Sequence, residues 1–158
     1  MVHFNKRNDY KGEKYDSQKE AKFYQRYLEA FEGSYIIRKH PQFDVLDRHA
    51  VGGMFGRKMV YTPDFVVMNK QGEILHVFDV KNSITPNEKG WTKSPKVYAS
   101  DSSKMRIKLY QARYGIPVEI VVPMANGFRM TIIGLTKTIG LHEFNSIEDY
   151  EVWDYTGR

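Results

Sequence analysis

The chain has no cysteine among its 158 residues, so it forms no disulfide, offers no thiolate nucleophile and builds no Cys-based zinc site. It holds no run of about 18 apolar residues, and no transmembrane helix is expected. The opening, MVHFNKRNDYKGEKYD, is polar and lacks the apolar stretch of a secretory signal. With the missing cysteines, this makes a reducing cytoplasm the expected compartment. The five histidines show neither HxH nor HExxH spacing, which argues against a zinc centre; His40 and His76 read as strand residues. No nucleophile elbow is present. There is no internal repeat, low-complexity tract or interdomain linker, so residues 1–158 are expected to form one domain, with 1–15 a flexible N-terminal arm.

What is present is ordinary for a globular protein, with 41% hydrophobic and 27% charged residues. Lys and Arg outnumber Asp and Glu by 24 to 19, a net charge of +5, which permits a polyanionic partner without requiring one. SQKEAKFYQRYLEAF predicts a helix from Ser17 to about Phe31, with Ala21, Tyr24, Tyr27, Leu28 and Phe31 as its apolar stripe. Ser17 and Glu20 have the form of a capping box. SYIIRKHPQF predicts a strand ended near Pro41, and DRHAVGGMFGRK, with three glycines and three basic residues, an exposed turn or flap. A hairpin follows over Tyr61–Asn82 with NKQG as its turn. Residues 83–100 read as irregular, and DSSKMRIKLYQARYG as a helix capped near Asp101 or Ser102 and closed by Gly115. PVEIVVPM and FRMTIIGL predict a second hairpin around ANG, and the tail a short helix. The order α-β-β-β-α-β-β predicts an α/β fold, a mixed central sheet flanked by helices.

The hairpin YTPDFVVMNKQGEILHVFDVKN carries charge where a buried strand would prefer valine. A turn centred between Gln71 and Gly72 pairs Lys70 with Glu73 and sets Asp64 opposite Asp79, with Lys81 on the same face. Val66, Met68, Leu75 and Val77 share that face, and Phe65, Val67, Phe78 and Val80 form the other, so both faces are apolar, as in a covered central pair. Two carboxylates about 5 Å apart destabilise a sheet, and burying them costs several kcal/mol each. A divalent cation bound to both removes repulsion and desolvation together. At about 100° per residue, Glu20 falls within the helix's apolar arc. If that arc packs on the sheet, Glu20 points to the acidic face.

These residues resemble the PD-(D/E)xK nuclease superfamily, the restriction-endonuclease-like fold. The likeness rests on Pro63-Asp64, on Asp79-Val80-Lys81 in the following strand, and on the upstream helical Glu20. It covers roughly Ser17 to Val122, and its local texture is similar to small phage-encoded endonucleases and Holliday junction resolvases. The commoner residue at position 79 in that superfamily is glutamate, with aspartate a shorter variant. The resemblance implies a DNA endonuclease in which Asp64, Asp79, the Val80 carbonyl and Glu20 hold Mg²⁺, with Mn²⁺ able to substitute. It implies that Lys81 orients or deprotonates the attacking water or neutralises the phosphorane, and that the products are a 5′-phosphate and a 3′-hydroxyl. It further implies a branched or duplex DNA substrate, a homodimer, no membrane, and the cytoplasm of a bacterial host cell, the gene being of phage or bacterial origin.

Basic residues flank the motif: Arg48, Arg57 and Lys58 before it, and Lys93, Lys96, Lys104, Arg106 and Lys108 after it. Such clusters track phosphates, and a solvated helix face is the competing reading for Lys104 and Lys108. Trp91 either stacks on bases or packs. Small size and the lack of a separate reading domain favour structure-selective cleavage, such as junction resolution. The alternatives are a nicking or restriction-type endonuclease and a non-catalytic DNA-binding module of the same fold.

Overall fold

The computed structural model describes residues 8–10, 13–15 and 17–158. Asn8–Tyr10 (β1) and Glu13–Tyr15 (β2) pair as a small antiparallel hairpin; the rest of the expected N-terminal arm lies outside the described residues.

Gln18–Phe23 forms α1, and Ser17 caps it, its Oγ accepting from the Glu20 amide at 3.1 Å. The helical path runs on to Phe31 but changes pitch, π-helical over Tyr24–Leu28 and 3-10 over Glu29–Phe31. The wider turn accompanies two adjacent apolar pairs, Phe23–Tyr24 and Tyr27–Leu28, all four of which are buried. Ile36–Lys39 is β3. Four short strands follow: Phe43–Leu46 (β4), His49–Val51 (β5), Met54–Gly56 (β6) and Met59–Tyr61 (β7). β4 pairs with β7 and β5 with β6, so the expected flap is a two-tier antiparallel ribbon.

Phe65–Met68 (β8) and Ile74–Val80 (β9) form the central hairpin. In the segment expected to be irregular, Ile84–Thr85 (β10) and Lys96–Val97 (β11) pair briefly. Asp101–Tyr114 (α2) is capped by Ser100, one residue earlier than expected, and closed by Gly115 in the left-handed region at φ 67°. Glu119–Pro123 (β12), Phe128–Thr131 (β13) and His142–Phe144 (β14) follow, the middle one ending four residues before the expected Leu135; Trp153–Thr156 (α3) ends the chain's regular structure.

The main sheet is six-stranded and mixed, in the order β14-β13-β12-β9-β8-β3. β9 and β12 are parallel and joined through α2; the other pairs are antiparallel. The α/β class and the helix-flanked mixed sheet are thus as expected. Phe65, Val67 and Phe78 pack against Phe23, Tyr24, Tyr27 and Leu28 on one face. Val66, Val77, Ile120 and Val122 pack against Ile107 and Tyr110 of α2 on the other. Covering both faces explains why β8, β9 and β12 are predominantly apolar on both faces, with His76, Asp79 and Glu119 as the exceptions.

One polar cluster is embedded in this core. His76 Nδ1 lies 2.8 Å from Glu119 Oε2, and Tyr150 donates its hydroxyl to Glu119 Oε1. Glu119 is wholly buried, and pairing with both neighbours satisfies it. Burial, then the Glu119 charge, pushes the Tyr150 hydroxyl well above its ordinary pKa, so it remains a donor.

Candidate functional site

The central hairpin fixes the site. Phe65 lies opposite Phe78, Val66 opposite Val77 and Val67 opposite His76, and one step further out Asp64 stands beside Asp79. The turn itself differs from expectation. Asn69 Oδ1 accepts from the amides of Gln71 and Glu73 at 3.0 and 2.9 Å, and Asn69 N donates to the Glu73 carbonyl. The loop therefore holds three residues, Lys70 to Gly72, and Glu73 faces Asn69 instead of Lys70. A bulge at Leu75 then absorbs the extra residue. The two deviations cancel before the strands reach Asp64.

Asp64 sits just ahead of β8, at the open end of the sheet. Its amide donates to the Phe78 carbonyl, its carbonyl accepts from the His40 amide, and its Oδ2 accepts from the Val80 amide at 2.6 Å. Burial, then the charges of Asp79 and Glu20, drives its carboxyl well above the ordinary range, and the Val80 amide opposes this in part. Asp79, in β9, is held differently. Tyr61 donates its hydroxyl to Oδ2 at 2.7 Å and Lys81 Nζ lies 2.9 Å from Oδ1. Lys81 Nζ also donates to Ser103 Oγ at 2.8 Å, which ties the ammonium to the first turn of α2.

Glu20 arrives by an unexpected route. The α1 stripe packs on the Phe65–Phe78 face, with the Phe23 and Phe78 ring centres 5.0 Å apart, and not on the acidic face. Glu20 nevertheless meets Asp64, because both stand at the end of the sheet, where the two faces join. Its carboxylate is 3% exposed and contacts His40 Nε2, and a hydrogen bond links it to Asp64. Its amide is capped by Ser17, so the backbone serves the cap and the side chain serves the cluster.

His40 is not a strand residue. It follows β3 in a bend, with φ 51°, and this left-handed turn swings the imidazole onto Glu20 and to 4.0 Å from Asp64 Oδ1. Glu20, His40 and Asp64 each offer a ligand atom, and the three atoms lie within 4.8 Å of one another. Two carboxylates and an imidazole suit a divalent cation of the Mg²⁺ to Mn²⁺ type, the nitrogen favouring the latter. His76, by contrast, is in β9 as expected and belongs to the core.

Glu20 and Asp64 of the cluster, with Asp79, line a cleft of about 590 Å³. Lys81, Arg106, Ser102 and Ser103, where α2 begins, line it as well. Carboxylates beside a helix N-terminus and two cations can hold a metal ion and a phosphate group side by side. Arg106 is fixed by donating to the Val60 carbonyl at 2.5 Å. Of the other expected DNA-binding residues, none lines the cleft. Arg57, Lys58, Lys93, Lys96 and Lys108 are exposed and Lys104 is half-buried. Trp91 is 43% exposed with the Arg129 guanidinium over its ring.

His40, Tyr61 and Ser103 were not singled out for this cleft by sequence, whereas Arg106 was among the expected phosphate-tracking residues. Tyr61 adjoins the TPD motif and Ser103 stands three residues after the Ser100 cap, but neither position alone signals a role. The described residues contain no helix long and apolar enough to cross a membrane. No curated protein and no solved structure matches the chain. Residues 3–112, which contain every residue of the acidic cluster together with Lys81, Ser103 and Arg106, match the model of DUF1064, described as a protein of unknown function; the chain belongs to that family.

Proposed function

We propose that the chain is a metal-dependent DNA endonuclease built on a restriction-endonuclease-like core. The observation that carries this reading is the paired character of the cleft: buried carboxylates lining it, and Lys81 bridging Asp79 to the N-terminus of α2. A mixed sheet with parallel β9 and β12, and a helix on each face, supports the fold assignment.

Asp64, Glu20 and His40, with Asp79 beside them and the Val80 carbonyl as the further expected ligand, would hold the cation. When bound, a divalent ion polarises the phosphodiester and favours formation of the attacking hydroxide. The chain's own groups do the rest. Asp64 is fixed by the Val80 amide, so its second oxygen keeps a set direction. Lys81, anchored from both sides, places its ammonium where a water or phosphate oxygen would meet it. The amides opening α2 and the Arg106 guanidinium stabilise negative charge gathering on the phosphate. Tyr61, kept protonated by burial and by Asp79, holds that carboxylate against rotation.

The test compares supercoiled plasmid, linear duplex, single strands and a four-way junction, with Mg²⁺, Mn²⁺ or EDTA. Metal-dependent cleavage that Asp64→Ala, Asp79→Ala and Lys81→Ala each abolish is expected, and stronger cutting of the junction than of duplex marks a resolvase. A wild-type protein inactive on every substrate with either ion sinks the reading.

A further inference from the structure

The ribbon between β3 and β8 has a fixed base and a bare tip. At its base Val45 is buried, and Phe43 packs edge-on against Tyr110 and Tyr114 at 5.1 and 5.5 Å. Tyr114 donates to the Asp44 carbonyl and Arg113 pairs with Asp47 at 2.8 Å. Beyond Asp47 the side chains leave the protein: Val51, Met54 and Phe55 are 59%, 77% and 64% exposed. Arg48 lies over the Phe55 ring at 4.2 Å. From Arg48 to Lys58 there is no carboxylate, while Arg48, Arg57 and Lys58 are all basic. Stable proteins seldom expose adjacent large apolar side chains without a partner.

The ribbon is also continuous with the cleft. From the tip the chain passes through Arg57 and Lys58 into β7, whose Val60 and Tyr61 line the cleft wall with Thr62 just beyond. At about 3.3 Å per residue, Phe55 stands at most about 20 Å of strand from Tyr61. The exposed tip therefore lies within reach of a polyanion seated in the cleft.

We propose that residues 47–58 form a DNA-reading arm that enters a groove of B-form duplex, with Arg48, Arg57 and Lys58 on phosphates and Met54 and Phe55 against the base stack. Charge complementarity selects a nucleic acid over an apolar protein partner. Groove width selects DNA: its major groove, about 12 Å wide, admits a two-stranded β-ribbon, whereas the deep, narrow major groove of duplex RNA does not. Apolar side chains wedged between base steps, as in minor-groove binders, unstack and kink a duplex. The inference rests on the nuclease reading only for placing DNA in the cleft.

The test measures binding of the full chain to a fluorescein-labelled duplex by anisotropy in EDTA, where no cleavage occurs. Met54→Ser/Phe55→Ser is expected to weaken binding about tenfold with the salt dependence unchanged, and to remove the fluorescence rise of 2-aminopurine bases placed in the duplex. Arg48→Ala/Arg57→Ala/Lys58→Ala should reduce the slope of log K against log salt by about 2.7, at roughly 0.9 per phosphate contact. Lys70→Gln, at the opposite end of the hairpin, should behave as wild type, and duplex RNA should not distinguish the tip variants. Tip variants that bind DNA as wild type does, or that dissociate a dimer by light scattering with DNA affinity intact, overturn the proposal. Hydrolysis with unaltered tip-variant binding would remove the arm and keep the nuclease; DNA binding through the arm without hydrolysis would do the reverse.

Discussion

The Val80 amide donates to the Asp64 carboxylate across the central hairpin at 2.6 Å, while the Asp79 side chain next to it takes its bonds from Tyr61 and Lys81. Two acids that stand side by side are thus held by separate sets of donors. Asp64 is left facing Glu20 and His40, and it bears the unrelieved part of the repulsion.

That repulsion has a measurable sign. The folded-state pKa of Asp64 is raised, first by burial and then by Asp79 and Glu20. A raised carboxyl contributes stability fully below its unfolded value of about 3.9, and loses it as pH climbs through the folded value. The contribution of Asp64 to the stability of the ion-free protein should therefore fall as pH rises above about 4. Asp64→Asn should melt higher than wild type at pH 7 without added metal. Millimolar Mn²⁺ should raise the wild-type Tm by binding only the folded state, and leave Asp64→Asn unmoved. Scanning calorimetry with and without the ion reads all three outcomes.

Tyr61 positions Asp79 without reaching the reacting phosphate in the proposed reaction. Tyr61→Phe removes one hydrogen bond to a carboxylate, worth about 1.5 kcal/mol, and cleavage should fall roughly tenfold with KM little changed. Lys81→Met should cost at least about a hundredfold. Steady-state kinetics on a cleaved oligonucleotide separates the two, and equal losses would show that Tyr61 does more than orient.

His40 holds a left-handed backbone at a cost of about 1–2 kcal/mol for a residue with a Cβ. His40→Gly relieves it and His40→Ala does not, so Gly should be the more stable variant by roughly 1 kcal/mol in urea unfolding. Both should lose Mn²⁺ affinity relative to Mg²⁺ by titration calorimetry, since only carboxylates remain in that part of the cluster.

Tyr110 buries its hydroxyl with no hydrogen-bond partner among the described residues, between Phe43 and Tyr61. An unsatisfied buried hydroxyl costs about 1–3 kcal/mol. Tyr110→Phe keeps the ring contacts and should raise unfolding free energy by on the order of 1 kcal/mol in urea.

Much of this was legible in the chain, for physical reasons that differ by residue. The short turn between β8 and β9 fixes which residues stand opposite each other, so the neighbourhood of Asp64, Asp79 and Lys81 could be read directly. The face of the sheet that α1 covers could not, because periodicity marks a stripe and does not name its partner. His40 joins Glu20 through a bend set by tertiary contact. Glu119 and His76 meet from positions 43 residues apart, and no local pattern announces such a pair. The ribbon strands are three or four residues long and mostly exposed, too short and too wet to leave an alternating signature.

The bulge at Leu75 also sets how much length variation the hairpin can absorb. Eight residues, 68 to 75, separate Val67 from His76, and they close as a three-residue loop plus a bulge. The same eight would also close as a two-residue loop with no bulge, and seven would close as the present loop once Leu75 is gone. All three closures leave Val67 opposite His76 and Asp64 beside Asp79. The far end of the hairpin thus works as slack in the chain: residues can be gained or lost there while the spacing of the acids stays as it is.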